Sequence, residues 1–540
     1  MKTSQYPFPT GRPVAMGTRC MIATPHYLAS QVGLSMLEKG GSAVDALIAA
    51  NAVLGVVFGH MSGLGGDLFA QVWDPQKKQL LGLNACGRSG SQVSVDFYKQ
   101  KGLQSIPMRG PLSAITVPGV VDGWWQLHQR FGKLPWQDLF QPSIQFARGF
   151  PVSYKLNIAM AQYAGILRQF GEAGSNYLRH GYPYTPGSRL RLPDLARSLE
   201  LVAQKGIETF YHGELAERIV RGLQDQGGLL TESDFTAHTS DWVEPLSTDY
   251  RGYQVTELPP NSVGITLLML LNMLENEDVA SLLGREEFYH LNTEAIKLIF
   301  ADRDRWLTDP AFLKIPLSQL LSKQYARERF EQINPHQASI NKQLQSGVTG
   351  GDTVFLTAVD ENGLTVSLIQ SNFLEFGSGF MPAGTGIILQ NRGAFFSLDE
   401  KHVNVLAPAK RTMHTLMPGM VFKDGQPLIV FGTMGGEGQP QTHAALLTNL
   451  LDFGFNVQEA IEAPRWFFGR LPGEDHRILH LEGRIADPIP AELNKKGHEV
   501  IMMTDWSQIM GHAQAIVIDR ENGVLHGGAD PRGEGLALGY

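Results

Sequence analysis

Cysteine is almost missing from this chain: among 540 residues only Cys20 and Cys86 occur. One disulfide at most can form, and a four-cysteine zinc or iron–sulfur site cannot. That usage suits a reducing compartment. An excess of basic residues is missing too. With 45 Lys and Arg against 53 Asp and Glu, the formal net charge of -8 leaves no electrostatic footprint for nucleic acid or an anionic membrane surface. Long apolar runs are absent, because the windows 46–58 and 263–271 fall well short of the roughly 20 residues that cross a bilayer. Both windows read as buried helices. The opening stretch from Met1 to Pro9 is polar and broken by Pro7 and Pro9, where a secretory signal would carry an apolar core. A cytoplasmic setting is expected. No Gly-x-Ser-x-Gly elbow, His-Glu-x-x-His pair, Gly-x-Gly-x-x-Gly fingerprint or Walker-type loop occurs, which removes the usual support for serine-elbow, zincin and nucleotide-binding readings. The histidines are scattered, and a lone one such as His443 reads as structural. Neither a metal nor a cofactor is expected.

What is present points to a large layered protein. The chain is 43% hydrophobic and carries 59 glycines and 30 prolines, enough apolar side chain for a sizeable core. Leu28, Val32, Leu34 and Leu37 recur at near-helical spacing before Gly40-Gly41. Ser42 then caps a second helix through Asp45, Ala46, Ala49 and Val53, which is hydrophobic nearly all round and is expected to be covered on several sides. Residues 68–73 read as a strand, and 84–91 as loop. From Pro118 to about Arg329 the text reads as mainly helical. Residues 334–351 turn polar and small, the best candidate for an exposed, flexible segment. A hairpin follows, with strands 353–359 and 364–369 around Asp360-Glu361-Asn362-Gly363. Beyond it the pattern is sheet-rich, with helices near 442–451 and 457–462.

The junction Gly351-Asp352-Thr353 carries the chemistry. A threonine that opens a buried strand after a polar linker can become a new N-terminus, if its hydroxyl attacks the Asp352 carbonyl and the resulting ester hydrolyses. The freed α-amino group has an intrinsic pKa of about 7.7 to 8.0, suited to act as general base for the hydroxyl of its own residue. Local sequence alone also allows Thr353 to be an ordinary β-former.

The wider context resembles the γ-glutamyltranspeptidase family of N-terminal-nucleophile hydrolases. The resemblance runs through Gly40-Gly41-Ser42-Ala43-Val44-Asp45-Ala46, Ser62-Gly63-Leu64-Gly65-Gly66, Val117-Pro118-Gly119 and Pro259-Pro260-Asn261-Ser262. It continues through Phe376-Gly377-Ser378-Gly379, Lys410-Arg411, Met417-Pro418, Gly435-Gly436 and Ala529-Asp530-Pro531-Arg532. It implies an α+β fold, a four-layer αββα sandwich assembled from both segments of an autoprocessed chain. Cleavage between Asp352 and Thr353 would give a large subunit, 1–352, and a small subunit, 353–540. The catalytic threonine falls on Thr353, and the hydroxyl residue that hydrogen-bonds it on Ser371. The amides that stabilise the tetrahedral oxyanion fall on Gly435 and Gly436, a pair that also reads as a simple turn.

The substrate positions depart from the family. Its carboxylate-binding Arg falls on Cys86, with Arg88 two residues on as a substitute or a surface residue. The family's acceptors for the glutamyl α-amino group fall on Phe373, Phe395 and Arg392, and its adjacent serine pair on His414 and Thr415. Aromatic rings cannot accept a charge-assisted hydrogen bond from ammonium, although Phe373 and Phe395 also read as core aromatics. Arg88, Arg392, His414 and Thr415 are the candidate donors for an anion. The implied substrate is a small amide bearing a carboxylate, either a γ-glutamyl-type compound or oxamate, which a signal-less bacterial branch of the family hydrolyses. The expected partners are that small molecule and the two subunits of one precursor, with a homo-oligomer left open. A non-catalytic, unprocessed binding homologue is the alternative. Denaturing electrophoresis separates the two: the wild type is expected to run as two fragments and Thr353→Ala as one intact chain.

Overall fold

The computed structural model describes residues 11–340, 351–471 and 474–540. Most of the segment expected to be flexible, 341–350, lies outside them. Two seven-stranded antiparallel sheets form the centre. In chain order the strands are β1 (Ala15–Gly17), β2 (Met21–Thr24), β3 (Asp67–Asp74), β4 (Gln79–Ala85), β5 (Asp241–Val243), β6 (Leu246–Tyr250) and β7 (Tyr253–Glu257). They continue as β8 (Asp352–Val359), β9 (Thr365–Phe373), β10 (Gly419–Lys423), β11 (Gln426–Thr433), β12 (Ala513–Asp519), β13 (Val524–Ala529) and β14 (Leu536–Gly539). Sheet I runs β1-β13-β12-β11-β10-β7-β6, and sheet II runs β14-β2-β8-β9-β3-β4-β5.

The sheets stack face to face. Met21, Trp73 and Val359 of sheet II pack with Met420, Val430 and Ile516 of sheet I, and the ring of Phe355 lies against Gly432. Helices cover the two outer faces. On sheet II lie α1 (Tyr27–Glu38) and α2 (Ala43–Val57), with the helix Trp136–Ala147 beyond α2. On sheet I lie α3 (Ile265–Leu274), with α4 (Glu286–Trp306) beyond it, α5 (Gln439–Leu451) and α6 (Val457–Glu462). The result is the expected αββα sandwich. Between two apolar layers α2 needs no polar face, so its near-continuous hydrophobic text is physically accounted for.

Local signals set these elements. Ser42 and Asp45 form a reciprocal capping box at the head of α2. The buried Asp45 carboxylate also accepts the amides of Lys133 and Leu134, at 2.8 and 3.1 Å. Side-chain alternation then assigns faces within the central hairpin. Val354, Leu356 and Ala358 of β8, with Val366 and Leu368 of β9, join the core around α2. Phe355 and Ile369 turn to the other side, and Ser367 Oγ reaches the Phe431 carbonyl of sheet I at 3.5 Å. Thr353 and Ser371 share that second parity.

Two readings of the sequence differ from the structure. The stretch read as mainly helical is so, from Val120–Phe131 to Lys323–Phe330, but it also contains β5, β6 and β7, which leave the edge of sheet II and build the edge of sheet I. The second hairpin strand runs four residues beyond Ile369, to Phe373, because Ser371 pairs with Asp67 of β3 and prolongs the ladder past the apolar run.

Asp360 fastens the hairpin. Its Oδ1 accepts the amides of Asn362 and Leu364, at 2.9 and 3.2 Å, and its Oδ2 accepts that of Ala43 at the head of α2, at 3.2 Å. Asp360→Ala leaves these donors without their acceptor and is expected to cost about 2–4 kcal/mol, read as a lower urea midpoint with unchanged slope.

Candidate active site

Strand register places Thr353. Asp352 pairs with Phe373 and Val354 with Gln370, so a bulge sets Thr353 alone against Ser371 and Asn372. Thr353 is 1% exposed and Ser371 is fully buried. The Ser371 Oγ accepts the Phe373 amide at 2.7 Å, which holds the hydroxyl at the strand end facing Thr353. Phe373 itself adopts φ +81, a conformation that bulky residues rarely take and that clusters at functional sites.

The glycine pair comes from sheet I. β11, whose Gly432 packs on Phe355, continues through Met434 into Gly435 and Gly436, with φ of +135 and +52. A short turn, Gly436–Gly438, then leads directly into α5. The loop therefore runs into a helix N-terminus, where backbone partial charge favours an anion. The loop also meets the junction before the threonine: a Cβ on Gly351 would lie 2.8 Å from Gly436 Cα and 3.6 Å from the Phe373 ring. Only glycine at 351 permits this approach. Thr353, Ser371, Gly435 and Gly436 are thereby brought to one end of the intersheet space.

Phe373, Phe395, Arg392 and Thr415 form a second group. The two rings lie 4.7 Å apart. The Arg392 guanidinium stands 4.3 Å from the Phe373 centroid and 5.3 Å from that of Phe395. It is fully buried, and Nη1 donates to Thr415 Oγ1 at 3.1 Å. Nε and Nη2 have no hydrogen-bond partner among the described residues. Burial lowers this group to about 10, against the pull of Asp67 and Cys86, so it stays a cation at neutral pH. A desolvated cation over aromatic faces gains about 2 kcal/mol, while its two free donors call for an anion.

The other candidate donors are already engaged. Arg88 points to Asp241, with Nη2 3.4 Å from Oδ2, and shares that carboxylate with Arg411. Offset along the chain did not fix its direction, because its partner lies far away in sequence. His414 accepts the Leu416 amide through Nδ1 at 3.3 Å, so Nε2 carries the proton donated to Asp67 Oδ2 at 3.2 Å. Burial holds His414 near 3, leaving it neutral. Its N–H is spent on Asp67.

Asp67 escaped the sequence reading. Its Oδ1 accepts from Gly87 N, Gly119 N and Gln390 Nε2 at 3.1, 3.2 and 2.9 Å, tying together the loops around Arg392. The signal was its place directly after Gly65-Gly66 at a strand start. Among the described residues, Asp67, Cys86 and His414 also form one of two clusters with metal-ligand side chains, the other being His290, Glu294 and His498. In each the carboxylate is already bound, by His414 in the first and by the Lys297 ammonium at 2.6 Å in the second. The expectation for His443 agrees with its buried contact to Glu257, 3.2 Å from Nδ1. A cleft of about 460 Å³, lined in part by Phe395, Asn404, Met413, Asp304 and Glu437, opens beside this group.

The αββα sandwich, with a strand-end hydroxyl facing a glycine loop, defines the class: an N-terminal-nucleophile amide hydrolase. The model of the gamma-glutamyltranspeptidase family matches residues 29–540. The chain belongs to that family. It is 47% identical over 526 residues to the glutathione hydrolase-like YwrD proenzyme of Bacillus subtilis, covering 97% of this chain and 99% of the relative. It is 39% identical over 531 residues to the oxamate amidohydrolase proenzyme of Klebsiella pneumoniae, covering 97% and 99%. Among solved structures, the cephalosporin acylase from Bacillus halodurans superposes with a TM-score of 0.91 at 36% identity, covering 100% and 99%. No described helix is long and apolar enough to cross a membrane.

The isolated charge gives a prediction of sign. Arg392 is displaced downward from its usual value, so the charged form costs the fold free energy at neutral pH. Arg392→Met is expected to raise the thermal midpoint by a few degrees while weakening carboxylate binding; a lower midpoint refutes the assignment of an uncompensated cation.

Proposed function

We propose that the chain is an autoprocessed threonine amidohydrolase acting on a small amide that carries a carboxylate and no ammonium group. The observation that carries this reading is the placement of Thr353 on the bulge opposite Ser371, with Gly351 against Gly436. In the first reaction the Thr353 hydroxyl adds to the Asp352 carbonyl and the peptide C–N bond breaks. The resulting ester joins Asp352 to Thr353 and is hydrolysed by water. Residues 1–352 and 353–540 become the two subunits, and Thr353 gains a free α-amino group.

In the second reaction that amine takes the hydroxyl proton as the oxygen attacks the substrate carbonyl. The negative charge on the tetrahedral intermediate is held by the Gly435 and Gly436 amides, a contribution that is usually among the largest in acyl transfer. Protonation by the same amine releases the leaving amine. Water then attacks the threonyl ester by the same route and frees the acid. Water is the preferred acceptor.

Arg392 supports a carboxylate in the substrate, since its Nε and Nη2 are unpaired donors beside the aromatic pair and its Nη1 is steadied by the Thr415 hydroxyl. An α-ammonium group placed there would meet a cation and two rings. Oxamate, with its carboxylate next to the amide, suits this seat better than a γ-glutamyl compound, and the oxamate amidohydrolase relative supports the same choice. The proposed setting is cytoplasmic, consistent with two buried free thiols.

Ammonia release from oxamate and glutamate release from glutathione test the reading directly. kcat/KM is expected to be at least about 100-fold higher for oxamate, the ratio set by leaving an ammonium unpaired beside a guanidinium. Turnover confined to glutathione overturns the substrate assignment. With oxamate as substrate, Arg392→Met is expected to raise KM about 100-fold with a smaller change in kcat.

A further inference from the structure

We infer that Arg303 and Arg477 act through Glu437 as positioning residues for the Gly435–Gly436 amides; this rests on the oxyanion role proposed above. A two-glycine loop with both φ values positive has no side chain of its own to hold it. Stabilising an oxyanion nevertheless requires donors fixed before the charge develops. The first side chain after the pair belongs to Glu437, and it is only 7% exposed.

Its carboxylate is gripped from two directions. Arg303, near the end of α4, places Nη2 2.7 Å from Glu437 Oε1. Arg477, from the segment before the strand Ile478–Leu481, places Nη2 3.2 Å from the same oxygen. Asp304 balances the second positive charge, accepting Arg303 Nε at 2.7 Å and lying 3.7 Å from Arg477. Phe300 supports both guanidinium groups, at 4.2 and 5.3 Å from its centroid. Two cations and two anions thus balance, three of them buried and Asp304 partly exposed, and among the described residues Glu437 is the member that joins them to the glycine loop.

Backbone bonds complete the hold. Gly438 N donates to Gly435 O at 2.8 Å, and Met434 N to His512 O at 3.2 Å. Gln439 N donates to Gly436 O as well, so these bonds shape the loop locally, but none of them ties it to α4 or to the segment before Ile478. The side-chain grip does. Asp304 and Glu437 also line the cleft beside Phe395, so the clamp borders that opening. Substrate carboxylate is held elsewhere, at Arg392. A loosened clamp should therefore cost turnover and not binding.

The test compares wild type, Glu437→Gln, Arg477→Lys and Thr353→Ala, each as the full chain, with oxamate and glutathione as probes. Glu437→Gln keeps the shape and removes the charge. It is expected to lower kcat about 30- to 300-fold with KM within threefold, and to leave the two-fragment pattern on denaturing gels intact. Arg477→Lys, a milder change, is expected to lower kcat about 5- to 20-fold, and decides the matter if Glu437→Gln does not fold. A kcat within threefold of wild type in the folded variant, or a rise in KM that accounts for the loss, overturns the clamp alone. Turnover that survives in Thr353→Ala, or a wild type that hydrolyses neither probe, overturns the threonine reading and this inference with it.

Discussion

The central hairpin is buried on both faces, and this one constraint organises the molecule. Odd-numbered positions of β8 and β9 look toward sheet I and even-numbered ones toward α2. A slip of one residue would exchange the faces and carry the Thr353 hydroxyl into the apolar layer under α2. The register is held at one end by Asp360, which joins the turn to the head of α2, and along its length by β2 and β3 on either side. Thr353 and Ser371 are neighbours because their strands pair, and they face the glycine loop because β11 runs beneath Phe355.

Charge is arranged with similar economy. Asp67 is surrounded by donors and Glu437 by two guanidinium groups, so each carboxylate is compensated where it stands. Arg392 is not. Its neighbours are two rings, a hydroxyl and a neutral imidazole, and its nearest counter-charge acts from a distance. A cation buried in this way is a poor structural element and a good recognition element. The strained Phe373 backbone belongs to the same economy, because it directs the ring under the guanidinium instead of along the strand.

Much of this was legible from the chain. The capped helix after Gly40-Gly41, the hairpin around Asp360-Glu361-Asn362-Gly363 and the helices near 442–451 and 457–462 each announced themselves through local chemistry: a capping serine, a turn sequence, an apolar period. The short strands β5, β6 and β7 did not, since three to five residues give no clear period and their pairing is decided by partners in distant segments. Site residues divided along the same line. Thr353, Ser371 and the glycine pair meet at one end of the intersheet space, whereas Arg88 is captured by Asp241 and His414 by Asp67. Asp67 and Glu437 passed unnoticed because a single acid beside glycines carries no pattern until its partners are known.

Both sheets interleave strands from before and after residue 352. In sheet II, β8 and β9 lie between β2 and β3; in sheet I, β6 and β7 extend an array otherwise led by β10 to β13. Neither portion encloses a core by itself. Under the proposed cut, a single translation product would give the two pieces in equal number, and a nick made after folding would leave an assembly unable to separate into competent halves or trade them with another copy. Folding has to come first, and the backbone can be given up only once the ladders no longer need it.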